Sequence, residues 1–567
     1  MVMSACVAHR IRLAVVIAGF AASAVAQTHV SVIAHSGMSA PGTLATFANS
    51  LGTPTIDDSG SVLFRAQLTG NGVTSSNDYG YWFGQAGSVQ LQAREGDVAP
   101  GCDDALFNVL GTPILSHGRI AFTATLTGPG VTASNNQALF AGTPGNVGLV
   151  MRKGTQAPGL PAGCVYNQIN DFAVNSNGDV AFRSTLTGTG VTATNDSAVS
   201  LFLGGVLLIG VREATPLPSI SATAAVGELG TGNLTLNGLG EIECVSTVTG
   251  AGAGTTQGLW RISASGVQIM GRSRLAAPGT PTGQTWLDFF STTAMTATGR
   301  SAFTATLQGT GVNTGNNVGL WVGSPGLVTL AVRGGDFAPG TSLSFQAFGT
   351  TPHVNSLGEI AFAATLWGSG ATSLNNCGVW ASQAGQVRLL GQAGQQVPGF
   401  ASGVLFSAEP ATRVVMNDVG DVVMRWRIID GAATPSVLLK RDADGSWRTL
   451  LREGDTVQLG DSVTKTVASN WFASAGHSSG DDGRGSVFNN SGTAASLISF
   501  VEGGYAVVTL EGSCAADFNA DGVVDFFDYL DFVAAFSSGD MSADFNSDEV
   551  IDFFDYLDFV AAFSVPC

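Results

Sequence analysis

The sequence predicts an all-β protein, a ring of short antiparallel sheets, with a small α-helical piece at its C-terminal end. One pattern of short alternating segments returns about every sixty residues, from residue 28 to about residue 512. Glycine supplies 76 of 567 residues, roughly twice the usual share. Charged residues are only 12 per cent, so much of the polar surface must come from Thr, Ser, Asn and Gln. Two near-copies of an acidic motif, each running into an apolar helical stretch, close the chain at residues 514–567.

At the start, His9, Arg10 and Arg12 precede the apolar run 13–22, which ends in Ala24-Val25-Ala26 before Gln27. This is the order of a secretory signal peptide, too short to span a bilayer. Residues 1–26 are expected to be removed and the mature chain exported to an extracellular, cell-surface or periplasmic location, with no membrane span. Export makes cysteine use informative. Cys6 leaves with the signal; Cys514 and Cys567 bracket the acidic tail, so a disulfide between them is expected to staple a domain too small for a large core. Cys102 and Cys164 follow equivalent Ala-Pro-Gly turns and form a weaker candidate pair, while Cys244 and Cys377 read as buried thiols.

The body, residues 27–512, repeats one unit. Its first half is clearest in Asn355-Ser-Leu-Gly358-Glu-Ile-Ala361-Phe362 and Asn175-Ser-Asn-Gly178-Asp-Val-Ala181-Phe182. Equivalent glycines stand at Gly60, Gly118, Gly178, Gly240, Gly299, Gly358 and Gly420, and a degraded eighth copy is read near residues 483–488. A Gly-x-Gly-Val turn, an Asn, an aromatic strand such as Tyr81-Trp82-Phe83 and a third strand ending in Arg follow. Then come an Ala-Pro-Gly turn and a looser strand around a Phe. Period-2 alternation with Gly, Asn and Pro punctuation argues strands throughout, and four short strands per unit is the arithmetic of a β-propeller blade. About eight four-stranded blades are expected. Residues 30–52 read as a second half without its first and residues 486–510 as a first half without its second, so joining them closes the ring. Seven blades is the alternative, because residues 505–510 also read as a third strand; a linear β-solenoid would not need split ends.

These tandem units resemble the exported bacterial proteins described by an NxxGxxAF repeat, a family recognised by its repeat and not by an activity. Unit four departs with Glu243-Cys244 and unit seven with Val423-Met424. Catalysis finds little support. The recurring Arg94-Glu-Gly-Asp97, Arg333-Gly-Gly-Asp336 and Arg452-Glu-Gly-Asp455 read as turns with a tie, and His29, His35, His117, His353 and His477 are scattered without a matching nucleophile or ligand spacing. Residues 477–484 break the repeat and read as a closing loop. The rim turns favour a binding or display module, with glycan and protein ligands both open. The rival class is a propeller enzyme acting on extracellular polysaccharide. No basic cluster suggests nucleic acid.

The tail carries eleven Asp and one Glu with no Lys or Arg, twelve of the eighteen net negative charges. Oxygen-bearing side chains fall at positions 1, 3, 5, 9 and 12 of two twelve-residue loops, the spacing that wraps a hard cation. The motif resembles a dockerin, a duplicated module of EF-hand-like calcium loops that docks exported proteins onto cohesin partners; residues 513–567 would form it. The resemblance implies side-chain ligands Asp517, Asn519, Asp521 and Asp528, a carbonyl ligand at Val523 and a water-mediated one at Asp525. The second loop would use Asp544, Asn546, Asp548, Asp555, Val550 and Asp552. Gly522 suits the left-handed turn at position 6, whereas Glu549 must adopt it at roughly 1–2 kcal/mol, so the second calcium site is expected to be weaker. Residues 526–536 are apolar at nine of eleven positions and residues 552–564 duplicate 525–537. An apolar face should therefore remain for a cohesin-like or cell-surface partner, with Phe526, Tyr529, Phe553 and Tyr556 as candidate contacts.

Overall fold

A computed structural model of the chain describes residues 29–230, 232–250, 256–349, 352–411, 413–460, 463–472, 479–511, 516, 518–519, 524–545 and 550–563. The expected signal segment 1–26, both bracketing cysteines Cys514 and Cys567, and His477 lie outside them. Two compact units divide the chain, one spanning Thr28–Gly512 and one holding Ser513–Cys567.

The larger unit is an eight-bladed β-propeller, eight antiparallel sheets in sequence order around a ring. Each blade begins with the looser strand, which is innermost, and runs outward through two further strands to an outermost one that ends in Arg in six of the eight blades. Blade 1, for example, takes Thr46–Leu51 with Thr55–Ile56, then Val62–Thr69, Tyr79–Gly84 and Gln90–Arg94. The repeat read from the sequence is therefore offset by one strand from the blade. This changes how the ring closes. Blade 8 draws Val463–Trp471, Ala494–Phe500 and Tyr505–Glu511 from the end of the body, and His29–His35 pairs antiparallel with Tyr505–Glu511 as its outermost strand. The split is three strands plus one rather than two halves, because Thr46–Leu51 already opens blade 1. Residues 505–511 and 29–35 are both needed, which removes the basis for seven blades.

Three aromatic rings form the centre of several blades. Phe362 stacks on Trp380 (6.1 Å, 17°), and Phe345 of the innermost strand meets Trp380 edge-on (4.9 Å, 76°). Phe64, Trp82 and Phe47 repeat the arrangement, as do Phe122, Phe140 and Phe107. Cross-strand register sets these pairs, since Phe64 lies opposite Trp82 and Phe362 opposite Trp380. Each contact adds about 0.5–1.5 kcal/mol beyond area burial. The Ala-Pro-Gly turn is tied to the same cluster: Trp82, Trp321 and Trp380 each donate Nε1–H to the proline carbonyl, Pro41, Pro278 and Pro339, at 3.0 Å.

Cys102, Cys164, Cys244 and Cys377 are all buried free thiols. The candidate pair Cys102 and Cys164 is not formed, because the two lie in different inter-blade cores. Burial pushes the Cys244 thiol up to about 12.

In the tail unit, two helices, α1 (Phe526–Ser538) and α2 (Phe553–Phe563), flank a short 3₁₀ turn, Met541–Ala543. Gly539, in the left-handed region (φ 68°), caps α1. No described helix is long and apolar enough to cross a membrane.

Candidate functional site

In the tail, the described ligand candidates are Asn519, Asp525, Asp528, Asp544, Val550, Asp552 and Asp555; Asp517, Asp521, Val523, Asn546 and Asp548 lie outside the described residues. Asp528 is fully buried, and its carboxylate accepts from Asn519 N–H (3.0 Å) and Asp525 N–H (2.8 Å). Asp525 in turn caps α1 through Phe527 N–H (2.7 Å), a capping box at the helix start. The second copy repeats this with Asp555 buried and accepting from Asp552 N–H at 2.8 Å. The position-12 carboxylates thus fold back over their loops, at positions 3 and 9 in the first copy. Among the described residues no three His, Cys, Asp or Glu stand close enough to hold a metal. The donors present are oxygens without a cationic neighbour in the tail sequence, a set that fits a hard divalent ion.

The two helices meet about a twofold axis that maps one copy onto the other. Phe532 stacks on its duplicate Phe559 at 3.9 Å and 2°, and the Tyr529 hydroxyl lies 3.0 Å from that of Tyr556. Phe518 packs edge-on against Phe532 (5.4 Å) as Phe545 does against Phe559 (5.5 Å). Of the four partner-contact candidates, Tyr529 and Tyr556 therefore sit at the helix–helix contact, while Phe526 and Phe553 are 64% and 63% exposed. The exposed face also contains Phe527 and Leu530, with Phe554 and Leu557 in the second copy. Sequence periodicity missed this division because helices apolar at nine of eleven positions offer several competing stripes.

The second arrangement lies on the propeller axis. The Asn-x-x-Gly turns join the two inner strands of each blade at one end of the ring. Their asparagines lace blades together. Asn175 Oδ1 accepts from Asn177 and Asp179 N–H (3.0 and 2.9 Å), while its Nδ2 donates to Asn237 O of the next blade (2.8 Å). Asn417 reaches Asn489 O (3.1 Å) and Asn489 reaches Asp57 O (3.0 Å), which carries the lacing across the ring closure. The eighth turn is Asn489–Gly492, with Gly492 at φ 85°; the copy expected near 483–488 is something else.

Residues 479–486 form an axial plug tied to six blades. Ile56, Val174 and Leu236 donate backbone N–H to the carbonyls of Ser486, Gly483 and Asp482, at 2.8–3.0 Å. Ser116 Oγ donates to Gly480 O (2.8 Å), Ala297 N–H to Asp481 Oδ2 (2.9 Å), and Ser479 Oγ reaches Met416 O at 3.5 Å. Arg484 Nη1 donates to Asp171 Oδ1 and Phe172 O, both at 2.7 Å. The main side-chain contact on Asp481 is His117, whose Nε2 lies 3.1 Å from Asp481 Oδ1 and whose Nδ1 lies 3.6 Å from Asp58 Oδ2. Hydrogen bonds to Asp481 and Asp58 outweigh burial and raise the imidazole to about 10. Burial opposes ionisation of Asp58, but its bonds to His117 and Asn490 hold the carboxyl below the usual range. Asn490 Nδ2 spans Asp58 and Asp418 (3.3 and 3.4 Å).

This latch sits where the repeat breaks. Blade 2 shortens its turn by one residue, pairing Ser116 directly with Arg119, which forces His117 (φ 45°) and Gly118 (φ 71°) both into the left-handed region. A non-glycine residue held there costs about 1–2 kcal/mol, and the paired carboxylates offset it. The closing loop read at 477–484 is thus, in its described part, a plug of the axial channel.

The sequence profile of a family of unknown function (DUF7453) matches residues 25–434 and 361–510. The chain belongs to that family. No protein of curated function matches the sequence. Among solved structures, this DUF7453 chain is similar to a Mycobacterium tuberculosis puromycin-hydrolyzing peptidase, with a TM-score of 0.34 and 10% identity over 73% of this chain and 54% of that one. It thus spans about half that peptidase's length. It is also similar to an oligogalacturonate lyase in complex with manganese (0.34, 10%, 86% and 98%) and to Trypanosoma rangeli sialidase in complex with sialic acid (0.27, 10%, 85% and 88%).

At the opposite rim of the DUF7453 propeller, the recurring arginines are ties. Arg94, Arg152, Arg212 and Arg333 each donate Nε–H to the carbonyl of the loop asparagine, Asn77, Asn135, Asn195 and Asn316, at 2.7–2.8 Å. That accounts for Arg94 and Arg333 of the recurring turns, whereas Arg452 pairs with Asp430. His353 is buried, which pushes its imidazole down to about 3. Glu243 and Cys244, the departure in unit four, face opposite neighbours: Cys244 packs in the core between blades 3 and 4, while buried Glu243 meets blade 5, where Arg261 bridges Glu243 (3.1 Å), Glu241 (3.0 Å) and Ser301 Oγ (2.7 Å).

Proposed function

We propose that this protein is an exported binding or display propeller, attached through a calcium-dependent dockerin-like tail to a cohesin-like or cell-surface partner. The duplicated exposed face of the tail carries the reading. Phe526, Phe527 and Leu530 on α1 match Phe553, Phe554 and Leu557 on α2 in both sequence and exposure. Six large apolar side chains left on so small a unit, in two equivalent sets, suit a partner surface better than a folding core. Calcium would be held by the loop oxygens, supplying the charge that offsets the acidic tail. The plugged axis and the tied arginines fit a scaffold whose work is done at its rim.

Surface plasmon resonance of the full chain over immobilised cohesin domains tests it. Binding in calcium, its loss in EDTA, and its loss on combined Phe526→Ala and Phe553→Ala substitution are expected. Equal signals in calcium and EDTA would count against attachment through the tail, and hydrolysis of polysaccharide by the propeller would favour the enzyme class instead.

A further inference from the structure

Among the described residues, Lys153 at the outer rim is a charge without a partner in the fold. At several blade boundaries the innermost strand bulges and leaves a backbone N–H without a ladder partner. The preceding blade supplies its acceptor. Glu95 Oε1 accepts from Leu110 N–H (3.1 Å) between blades 1 and 2, and Gln257 Oε1 accepts from Phe289 N–H (2.8 Å) between blades 4 and 5. The residue after the strand-ending Arg is Glu at three boundaries, Glu95, Glu213 and Glu453; Glu95 accepts from the next blade, while Glu213 accepts from Ser197 Oγ and Glu453 from Ser436 N–H within their own blades. Between blades 2 and 3 that position is Lys153. There Gln137 has taken over the structural task, accepting from Ile169 N–H (3.0 Å) and donating to Ile169 O (3.2 Å).

Lys153 is thus released from the framework. The chain has three lysines. Lys440 is paired with Asp421 and Asp442, and Lys465 donates to Gly503 O. Among the described residues the Lys153 ammonium has no such partner. It lines an open groove of about 750 Å³ together with Arg152, Ser134, Asn135, Asn167 and Thr187, and no carboxylate lines the groove with it. Among the described residues, Arg152 pairs with the single carboxylate of Asp103 at 3.8 Å, whose side chain is 97% exposed. Gly154 (φ 89°) closes one wall, since a Cβ there would come within 2.9 Å of Ser134 O.

We infer that this groove binds an acidic saccharide, a sugar chain carrying a carboxylate. Two cations in a protein of net charge −18 select an anion. Hydroxyl and amide side chains on the walls, Ser134, Asn167 and Thr187, offer donors and acceptors to sugar hydroxyls beside apolar surface that a sugar ring face can cover. The inference rests on reading the propeller as a binding module and is independent of the tail.

Titration calorimetry of the full chain tests it, with glucuronic-acid oligosaccharides, their carboxyl-reduced counterparts and an oligo-aspartate peptide. The acidic oligosaccharide should bind, more weakly as salt rises, and the reduced form should bind at least about tenfold more weakly. Lys153→Glu installs the residue found at three other boundaries, so the fold should stand, and binding should fall roughly tenfold or more; Lys153→Arg should retain it. Unchanged binding by Lys153→Glu, equal binding of the reduced sugar, binding of the peptide alone, or no binding would each overturn the proposal. EDTA should leave groove binding intact, which separates its failure from failure of the tail.

Discussion

The contact between His117 and Asp481 sets how firmly the axis is closed. His117 is raised from 6.5 to about 10 in the folded protein. Its contribution to stability is therefore complete below about pH 6.5 and is lost as pH rises through about 10. Asp58 is shifted the opposite way, so its share is present above its ordinary value and lost as pH falls through the lower folded one. His117→Gln is expected to cost about 1–3 kcal/mol near pH 7, with the difference from wild type closing above pH 10, as measured by denaturant unfolding at several pH values. The lacing asparagines make a second, separable prediction. Asn489→Ala removes both the cap on Thr493 N–H and the donation to Asp57 O, at about 1–3 kcal/mol. Asn489→Asp keeps the cap and should cost less, as Asp57 itself shows by capping Ser59 and Ser61 N–H through Oδ1. The sequence displayed these asparagines as a motif, but a side chain that serves its own turn with one atom and the neighbouring blade with another leaves no spacing signal for the second job.

At the scale of elements, the helices of the tail divide their apolar residues into a dry stripe and a wet one. Phe532, Phe559, Tyr529 and Tyr556 hold the pair together, so Phe527→Ala and Phe554→Ala are expected to leave helicity by circular dichroism unchanged, whereas Phe532→Ala should unfold the tail at about 3–5 kcal/mol. On the proposed calcium reading, Glu549→Gly is expected to tighten binding at the second loop toward that of the first, measured by calorimetry. Strands were legible because they obey local rules: alternation places Phe362 and Trp380 on one face, and Ala-Pro-Gly and Asn-x-x-Gly mark the two rims. The innermost strand was the hardest to read. Its bulges and interruptions, as between Ser344–Phe348 and His353–Val354, replace period-2 alternation with contacts to the neighbouring blade.

For the whole molecule, ring closure depends on His29–His35 reaching the last blade. Deleting that strand would expose the edge of Tyr505–Glu511, and such an unpaired edge invites association; size-exclusion chromatography should find oligomers or aggregate in place of monomer. Ring architecture and blade number followed from counting repeats, whereas the plug did not. Residues 479–486 have no repeat and almost no alternation, and they are held by one to three bonds from each of six blades that become neighbours only when the ring closes. The Glu-to-Lys change at Lys153 is legible by aligning the repeats, but the groove beside it was hidden, since its walls come from strands and turns of blades 2 and 3 that meet only in space. The central claim, a calcium-held attachment module on a binding propeller, is tested most directly by calorimetric titration of the full chain with calcium. Two ions per chain with unequal affinities are expected, the tighter one abolished by Asp528→Ala; no calcium uptake, or uptake indifferent to Asp528 and Asp555, would contradict it.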